Sequence, residues 1–179
     1  LSEKLRAAGL PFKRISRREG DFADLSSGIG VRDAMLDADV VVSCAHARYT
    51  QSIIENLPAR PISLVLMGSA WRYSAVSNQR ADEGRKAEAD FLACSHSGVM
   101  LHATMIYGGN QENNIQRLLR ATRRFPIMPV PGGGHQIVQP IYIDDLVDCL
   151  FAAATTRWVS RRVVGVAGKP LSWGTMARI

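Results

Sequence analysis

Cysteine is scarce. Three occur in 179 residues, with no Cys-x-x-Cys pair. That excludes a disulfide scaffold and a paired-cysteine zinc site, and no metal centre is expected. It suits a reducing, cytoplasmic interior. Long hydrophobic runs are missing as well. The longest uncharged stretch, Ser95 to Gln111, is broken by His, Ser, Thr and Gly. It falls short of the ~20 mostly apolar residues of a membrane span, and no signal-peptide pattern is read. Aromatics make up only 7% of the chain. Few of them lie among basic residues, which disfavours a stacking platform for single-stranded nucleic acid. Acidic residues are the smaller charge class, 16 against 22 Lys and Arg, for a net charge of +6.

What is present is ordinary globular composition, 46% hydrophobic and 21% charged. Such a chain is not disordered, and at this length it buries roughly 70% of its unfolded surface as one domain. Basic residues cluster at Lys13, Arg14, Arg17 and Arg18, at Arg117, Arg120, Arg123 and Arg124, and at Arg157, Arg161 and Arg162. Solvated surface explains the last two clusters. An anionic partner is a further reading for the first.

Strand and helix patterns alternate. Leu1 to Gly9 reads as a helix, with Leu1, Leu5 and Ala8 on one face and Gly9 at the C′ position. It begins on the first residue without an N-cap, so the expectation is that something upstream of Leu1 is absent. Phe12 to Ser16 is a short strand, and Val31 to Ala38 a helix. Asp39 to Cys44, Ile62 to Met67 and Val99 to Ile106 are apolar runs of the kind buried on both sheet faces. Between them the pattern predicts helices over Thr50 to Leu57 and Ala81 to Cys94. Beyond them come helix Glu112 to Arg124, a turn-rich connector Pro126 to Gly134, strand Ile137 to Ile143, helix Asp144 to Ala154 and strand Arg162 to Val166. This alternation predicts an α/β fold, a doubly wound parallel sheet with helices on both faces.

In such a sheet ligands bind outside the carboxyl ends of the strands. Four loops meet that rule: Ser16-Arg17-Arg18, Cys44-Ala45-His46, Gly68-Ser-Ala-Trp-Arg-Tyr73, and Met105-Ile-Tyr-Gly-Gly-Asn110. Their convergence on one rim makes them candidates. Alone, each is an ordinary loop. His102 lies inside a strand and reads as packing, and Cys44 as a small buried hydrophobe. Cys94 and Cys149 read as core.

Seven segments occur in an order that resembles one family. They are Leu5-Arg-Ala-Ala-Gly9 with Ile15-Ser-Arg-Arg18, Gly20-Asp-Phe-Ala-Asp-Leu25, Asp39-Val-Val-Val-Ser-Cys-Ala45, Leu64-Val-Leu-Met-Gly-Ser69, Arg85-Lys-Ala-Glu-Ala89, Leu101-His-Ala-Thr-Met-Ile-Tyr-Gly108 and Gln139-Pro-Ile-Tyr-Ile-Asp-Asp145. Together they resemble the extended and atypical short-chain dehydrogenases/reductases, the sugar-nucleotide epimerase/dehydratase-like and NmrA-like proteins. The resemblance implies a single Rossmann-type NAD(P)-binding domain over residues 1–179. Its small C-terminal substrate lobe would draw on residues 108–143 and 155–179. The family's first strand and Gly-x-x-Gly-x-x-Gly loop would precede Leu1. Gly28-Ile-Gly30 is no substitute, because no strand precedes it.

By that resemblance Ser69 orients the substrate hydroxyl or carbonyl, and Lys86 holds the nicotinamide ribose. The family's Tyr, one turn before the Lys, is replaced by Asp82. A carboxyl with a reference pKa of about 3.9 is a poor proton donor near neutrality unless burial raises it. Tyr73 is the candidate phenol in its place. Cofactor contacts are expected from Arg17, Arg18, Asp21, Phe22, Cys44, Ala45, His46, Lys86 and Met105. Substrate contacts are expected from Trp71, Tyr107, Asn110, Asn114 and Gln139. An Arg after the second strand accommodates a 2′-phosphate, so NADP is favoured over NAD.

The resulting expectation is an NAD(P)-dependent epimerase/dehydratase or reductase with a small-molecule substrate. The alternative, encouraged by Asp82, is a non-catalytic NADP(H)-binding regulator or assembly factor. A nucleic-acid partner using the basic face of 112–124 is disfavoured. A homodimer is carried as an expectation that the sequence itself does not fix.

Overall fold

The computed structural model describes residues 1–18, 21–109 and 131–176. The helix expected over Glu112 to Arg124, with Arg117, Arg120, Arg123 and Arg124, lies outside the described residues. So do Asn110 and Asn114.

The centre is a four-stranded parallel sheet. Its strands are β3 (Val40–Ser43), β4 (Ser63–Ser69), β5 (Gly98–Ala103) and β9 (Arg161–Val166), adjacent in that order. Each strand in the centre is apolar on alternate residues toward both faces, so both faces carry core. One face packs Leu64, Leu66 and Met100 against helices α2 (Val31–Met35), α3 (Thr50–Glu55) and α4 (Gln79–Ala93). The other packs Val65, Val99 and Leu101 against α5 (Ile143–Thr155), with Leu1 beside it. Helices on both faces are what a parallel sheet requires, because its crossovers return over the faces. The expected doubly wound α/β class is the observed one.

The smaller elements flank this sheet. Helix α1 (Ser2–Ala7) has no side-chain N-cap and ends before Gly9, which takes a left-handed φ of 67°. Its Lys4 pairs with Asp148 of α5. Strands β1 (Ile15–Ser16) and β2 (Asp21–Phe22) form a separate parallel pair. Beyond β5, β6 (Ile106–Tyr107) pairs parallel with β8 (Ile141–Tyr142). Strand β7 (Ile137–Val138) pairs antiparallel with β10 (Leu171–Ser172), and a short helix α6 (Trp173–Met176) follows.

Several elements differ from the sequence reading. The run Val99 to Ile106 is two strands, because the chain leaves the central sheet after Ala103 and Thr104. There the Thr104 hydroxyl donates to the Gln139 carbonyl. Ile137 to Ile143 is likewise two strands, interrupted at Gln139 and Pro140, and Ile143 already opens a helix. Proline cannot donate to a ladder, which explains the break. The apolar run at 39–44 is half-buried rather than buried on both faces, because β3 is an edge strand among the described residues. Helix α4 starts two residues earlier than expected, where the Asn78 side-chain oxygen accepts the Ala81 N–H at 3.1 Å.

The β4–β5 pairing holds the centre, with Leu64 opposite Gly98 and Ser69 opposite Ala103. Gly98 has φ 150°, and a Cβ there would come within 2.0 Å of the Leu64 carbonyl oxygen. Gly98→Ala is therefore expected to cost about 1–3 kcal/mol from backbone strain alone, with the clash in addition. Urea denaturation measures this loss. Unchanged stability would contradict the close approach of the two strands.

Candidate functional site

Strands β3, β4 and β5 are parallel, so their carboxyl ends share one rim. The rim is stepped. Ser43, the end of β3, lies opposite Leu66, while β4 continues through Met67, Gly68 and Ser69. The Ser69 hydroxyl oxygen accepts the Trp71 N–H at 3.3 Å, starting the 3-10 turn Ala70–Tyr73. That turn presents Trp71 and Tyr73 outward, 52% and 58% exposed.

Tyr73 is held in place on two sides. Its ring meets His102 edge-on, with centroids 5.5 Å apart and planes at 76°. The Arg72 guanidinium carbon lies 4.9 Å from its ring centroid, a cation–π arrangement. Arg72 in turn makes a bidentate ion pair with Glu88 of α4. Glu88 also meets His102 Nε2 at 2.8 Å, and His102 Nδ1 accepts the Ser69 N–H at 3.1 Å. His102 is fully buried. It is thus a hydrogen-bonding centre and not the packing residue expected from sequence, because both ring nitrogens find partners in a strand otherwise lined with apolar groups.

The hydrogen bonds from Arg72, opposed by desolvation and assisted by His102, hold the Glu88 carboxyl below its ordinary value of 4.5. Sequence reasoning missed Glu88 and Arg72 in this role. The signal was there. Glu88 stands on the same α4 stripe as buried Ala81, Gly84, Ala87 and Phe91, and a carboxylate on an apolar stripe needs a partner.

A second group lies on another side of α4. Lys86 Nζ donates to Asp90 at 2.7 Å and to Gln51 of α3 at 2.8 Å. Asp82, where the resembled family has its Tyr, accepts from Arg85 at 2.6 Å and from the Ser77 hydroxyl at 3.3 Å. His46 Nδ1 caps the 3-10 turn after β3, 3.4 Å from the Arg48 nitrogen, and lies 3.4 Å from Glu83 of α4. So α4 gathers His46, Lys86 and Asp82 along one side and Arg72, Tyr73 and His102 along another.

The remaining candidates lie on other elements, Arg17 to Phe22 on a strand pair separate from the central sheet. Arg17 and Arg18 are exposed directly after β1, and Asp21 and Phe22 form β2, with Phe22 58% exposed. Ala45 N–H donates to the Ser43 hydroxyl at 3.3 Å. Cys44 is exposed rather than buried, because it follows an edge strand. Desolvation by the protein nearby still pushes its thiol pKa up, away from a reactive thiolate. Met105 is half-buried between β5 and β6. Tyr107 packs edge-on against Tyr142, with centroids 5.3 Å apart. Gln139 is exposed beyond β7. Gly30 is a packing glycine, since a Cβ there would meet the Phe22 carbonyl oxygen at 2.7 Å. Among the described residues, no group of three or more His, Cys, Asp or Glu side chains is placed to hold a metal ion. No described helix is long and apolar enough to cross a membrane.

This arrangement of sheet and rim has well-characterised counterparts. The chain is similar to MoeE5 in complex with UDP-glucose and NAD, with a TM-score of 0.80 and 20% identity over 98% of this chain and 74% of that one. It is similar to the UDP-glucose 4-epimerase of Thermus thermophilus in complex with NAD, with a TM-score of 0.73 and 14% identity over 99% and 76%. It is also similar to TunA, an NAD-dependent NDP-hexosamine 5,6-dehydratase, with a TM-score of 0.75 and 17% identity over 98% and 73%. The fold is the one these proteins share. In sequence the chain is 26% identical to uncharacterized proteins of Mycobacterium tuberculosis and Mycobacterium bovis, over 83% of its own length. It spans 18% of the length of these relatives. No family model matches the chain.

The Glu88 cluster generates a pH prediction. A carboxyl whose pKa is lower folded than unfolded contributes its full stability above the unfolded value and loses it as pH falls through the folded value. Acid destabilisation below the ordinary value of 4.5 is therefore expected to be steeper in the wild type than in Glu88→Gln. Thermal denaturation across an acid pH series measures it. Parallel curves for the two proteins would contradict the charge pairing at Glu88.

Proposed function

We propose that this chain is the core of an NAD(P)-dependent epimerase, dehydratase or reductase that acts by hydride transfer on a sugar nucleotide. The observation that carries the reading is Ser69 at the carboxyl end of β4, with Tyr73 in the turn that follows it, on a fold that MoeE5 uses with UDP-glucose and NAD; Lys86 stands on another side of α4. The groups present fit such a cofactor at its two ends. Exposed Phe22 offers an aromatic face for adenine, Arg17 and Arg18 offer charge for a phosphate, and Lys86 offers an ammonium for the nicotinamide ribose. When bound, the nicotinamide takes up or returns a hydride.

The chain's own residues then bind, orient and move a proton. The Ser69 oxygen accepts from Trp71 and keeps its own proton to donate to a substrate oxygen. Tyr73 supplies the phenol that Asp82 does not, its ring fixed between Arg72 and His102. Lys86 reaches the ribose hydroxyls by exchanging its contacts with Gln51 and Asp90. Ala45, His46, Cys44, Asp21 and Met105 line the cofactor. Trp71, Tyr107 and Gln139 contact the sugar nucleotide. Arg17 and Arg18 favour the 2′-phosphate of NADP. Free Cys44, Cys94 and Cys149 agree with a reducing cytoplasmic setting. A homodimer belongs to the same reading and is read by light scattering.

The Asp82–Arg85 ion pair supports a second reading, a non-catalytic NADP(H)-binding regulator, because it occupies the position of the family's phenol.

Turnover separates the two. The protein with NADP or NAD and a UDP- or dTDP-hexose is expected to epimerise, dehydrate or oxidise the sugar, or with NADPH or NADH to reduce a keto sugar. Tyr73→Phe is expected to lower kcat at least ~100-fold by removing a proton donor. Arg17→Ala with Arg18→Ala is expected to shift preference from NADP toward NAD by about 10-fold, the equivalent of roughly 1.4 kcal/mol. Tight NADPH binding with no turnover on any of these sugars would overturn the enzymatic reading and leave the regulator.

A further inference from the structure

A largely buried polar chain lies beneath the rim. It runs from Arg72 through Glu88 and His102 to the Ser69 backbone. The Ser69 N–H can only donate, so His102 Nδ1, its acceptor, carries no proton. The ring proton therefore sits on Nε2 and donates to Glu88 at 2.8 Å. A protonated ring would offer a second donor to Ser69 and lose that bond. The carboxylate fixes the tautomer, and the tautomer fixes the strand end.

The backbone is shaped to admit this ring. A Cβ on Gly68 would lie 2.3 Å from His102 Nδ1. Any side chain there would push the imidazole away from Ser69. The other end of the chain matters equally. Arg72 belongs to the turn that carries Trp71 and Tyr73, and Tyr73 rests on His102 itself. Movement of His102 would thus be felt by the Ser69 amide and the Tyr73 ring together.

We infer that His102 is a positioning residue of the rim: as a neutral imidazole anchored by Glu88, it sets the Ser69 backbone and the 70–73 turn. It touches neither cofactor nor substrate in this role. The consequence for turnover rests on the proposed function, while the hydrogen-bond pattern stands without it.

The test uses two substitutions that each keep half of the imidazole. His102→Asn keeps an acceptor at the place of Nδ1. His102→Gln keeps a donor at the place of Nε2 and offers Ser69 nothing. Amide exchange at Ser69, followed by NMR in the intact protein, is expected to stay within about threefold of wild type in His102→Asn and to rise at least ~10-fold in His102→Gln. In an active protein, His102→Gln is expected to lower kcat by ~10-fold or more with little change in KM, and His102→Asn to restore most of it. Equal exchange in both variants would overturn the inference. So would an imidazole nitrogen spectrum of the wild type showing the proton on Nδ1, a result that needs no variant to fold. Absence of turnover in the wild type sinks the enzymatic reading but leaves the exchange and nitrogen results to decide the positioning claim. Full kcat in His102→Gln despite fast Ser69 exchange sinks the catalytic consequence of positioning alone.

Discussion

Glu88 carries a charge into the layer between helix α4 and the sheet, where desolvation acts against it. Three hydrogen bonds offset that cost, two from Arg72 and one from His102. Such an arrangement adds little over an apolar core of equal shape, yet removing one partner strands the others. Its value is geometric. It ties a helix, a strand and a turn to one carboxylate, so α4, β5 and the 70–73 segment cannot shift independently. The exposed aromatics at the rim depend on that tie, because Tyr73 is held by the same Arg72 and His102.

The rim itself follows from the parallel register. Strand β4 outruns β3 by three residues, so Ser69 stands above the level of Ser43. The space beside that step is bordered by His46, which reaches α4 through Glu83. The same helix therefore meets His46 through Glu83 and supports Ser69 through Glu88 and His102. A helix can do both because residues 83, 86 and 90 lie on a different stripe from 81, 84, 88 and 91.

Much of this is legible in the sequence. The continuous apolar runs at 39–44, 62–67 and 99–106 mark parallel strands, and they are found in one sheet, apart from 104–106. The rim loops follow from the strand ends. Three things are not legible. The split of 99–106 depends on Thr104 meeting Gln139, a contact 35 residues away in sequence. The half-exposure of β3 and of Cys44 depends on where β3 falls in the sheet order, which a local pattern does not encode. The Arg72–Glu88–His102 chain joins three segments, and each residue alone has a bland reading. Only their joint burial gives them a role. Asp82 is visible in the sequence as a departure from the family pattern, but its partners Arg85 and Ser77 need the fold.

The proposed function puts a nicotinamide dinucleotide across the carboxyl rim of this sheet. NMR titration of the intact protein with NADP tests it most directly, because it reports where the ligand sits without requiring turnover. The account predicts that shifts concentrate at Arg17, Phe22, Ala45, His46, Ser69 and Lys86. Binding that perturbs only the opposite ends of these strands, around Asp39, Ser63 and Gly98, would contradict it, as would no shift at all at saturating NADP and NAD.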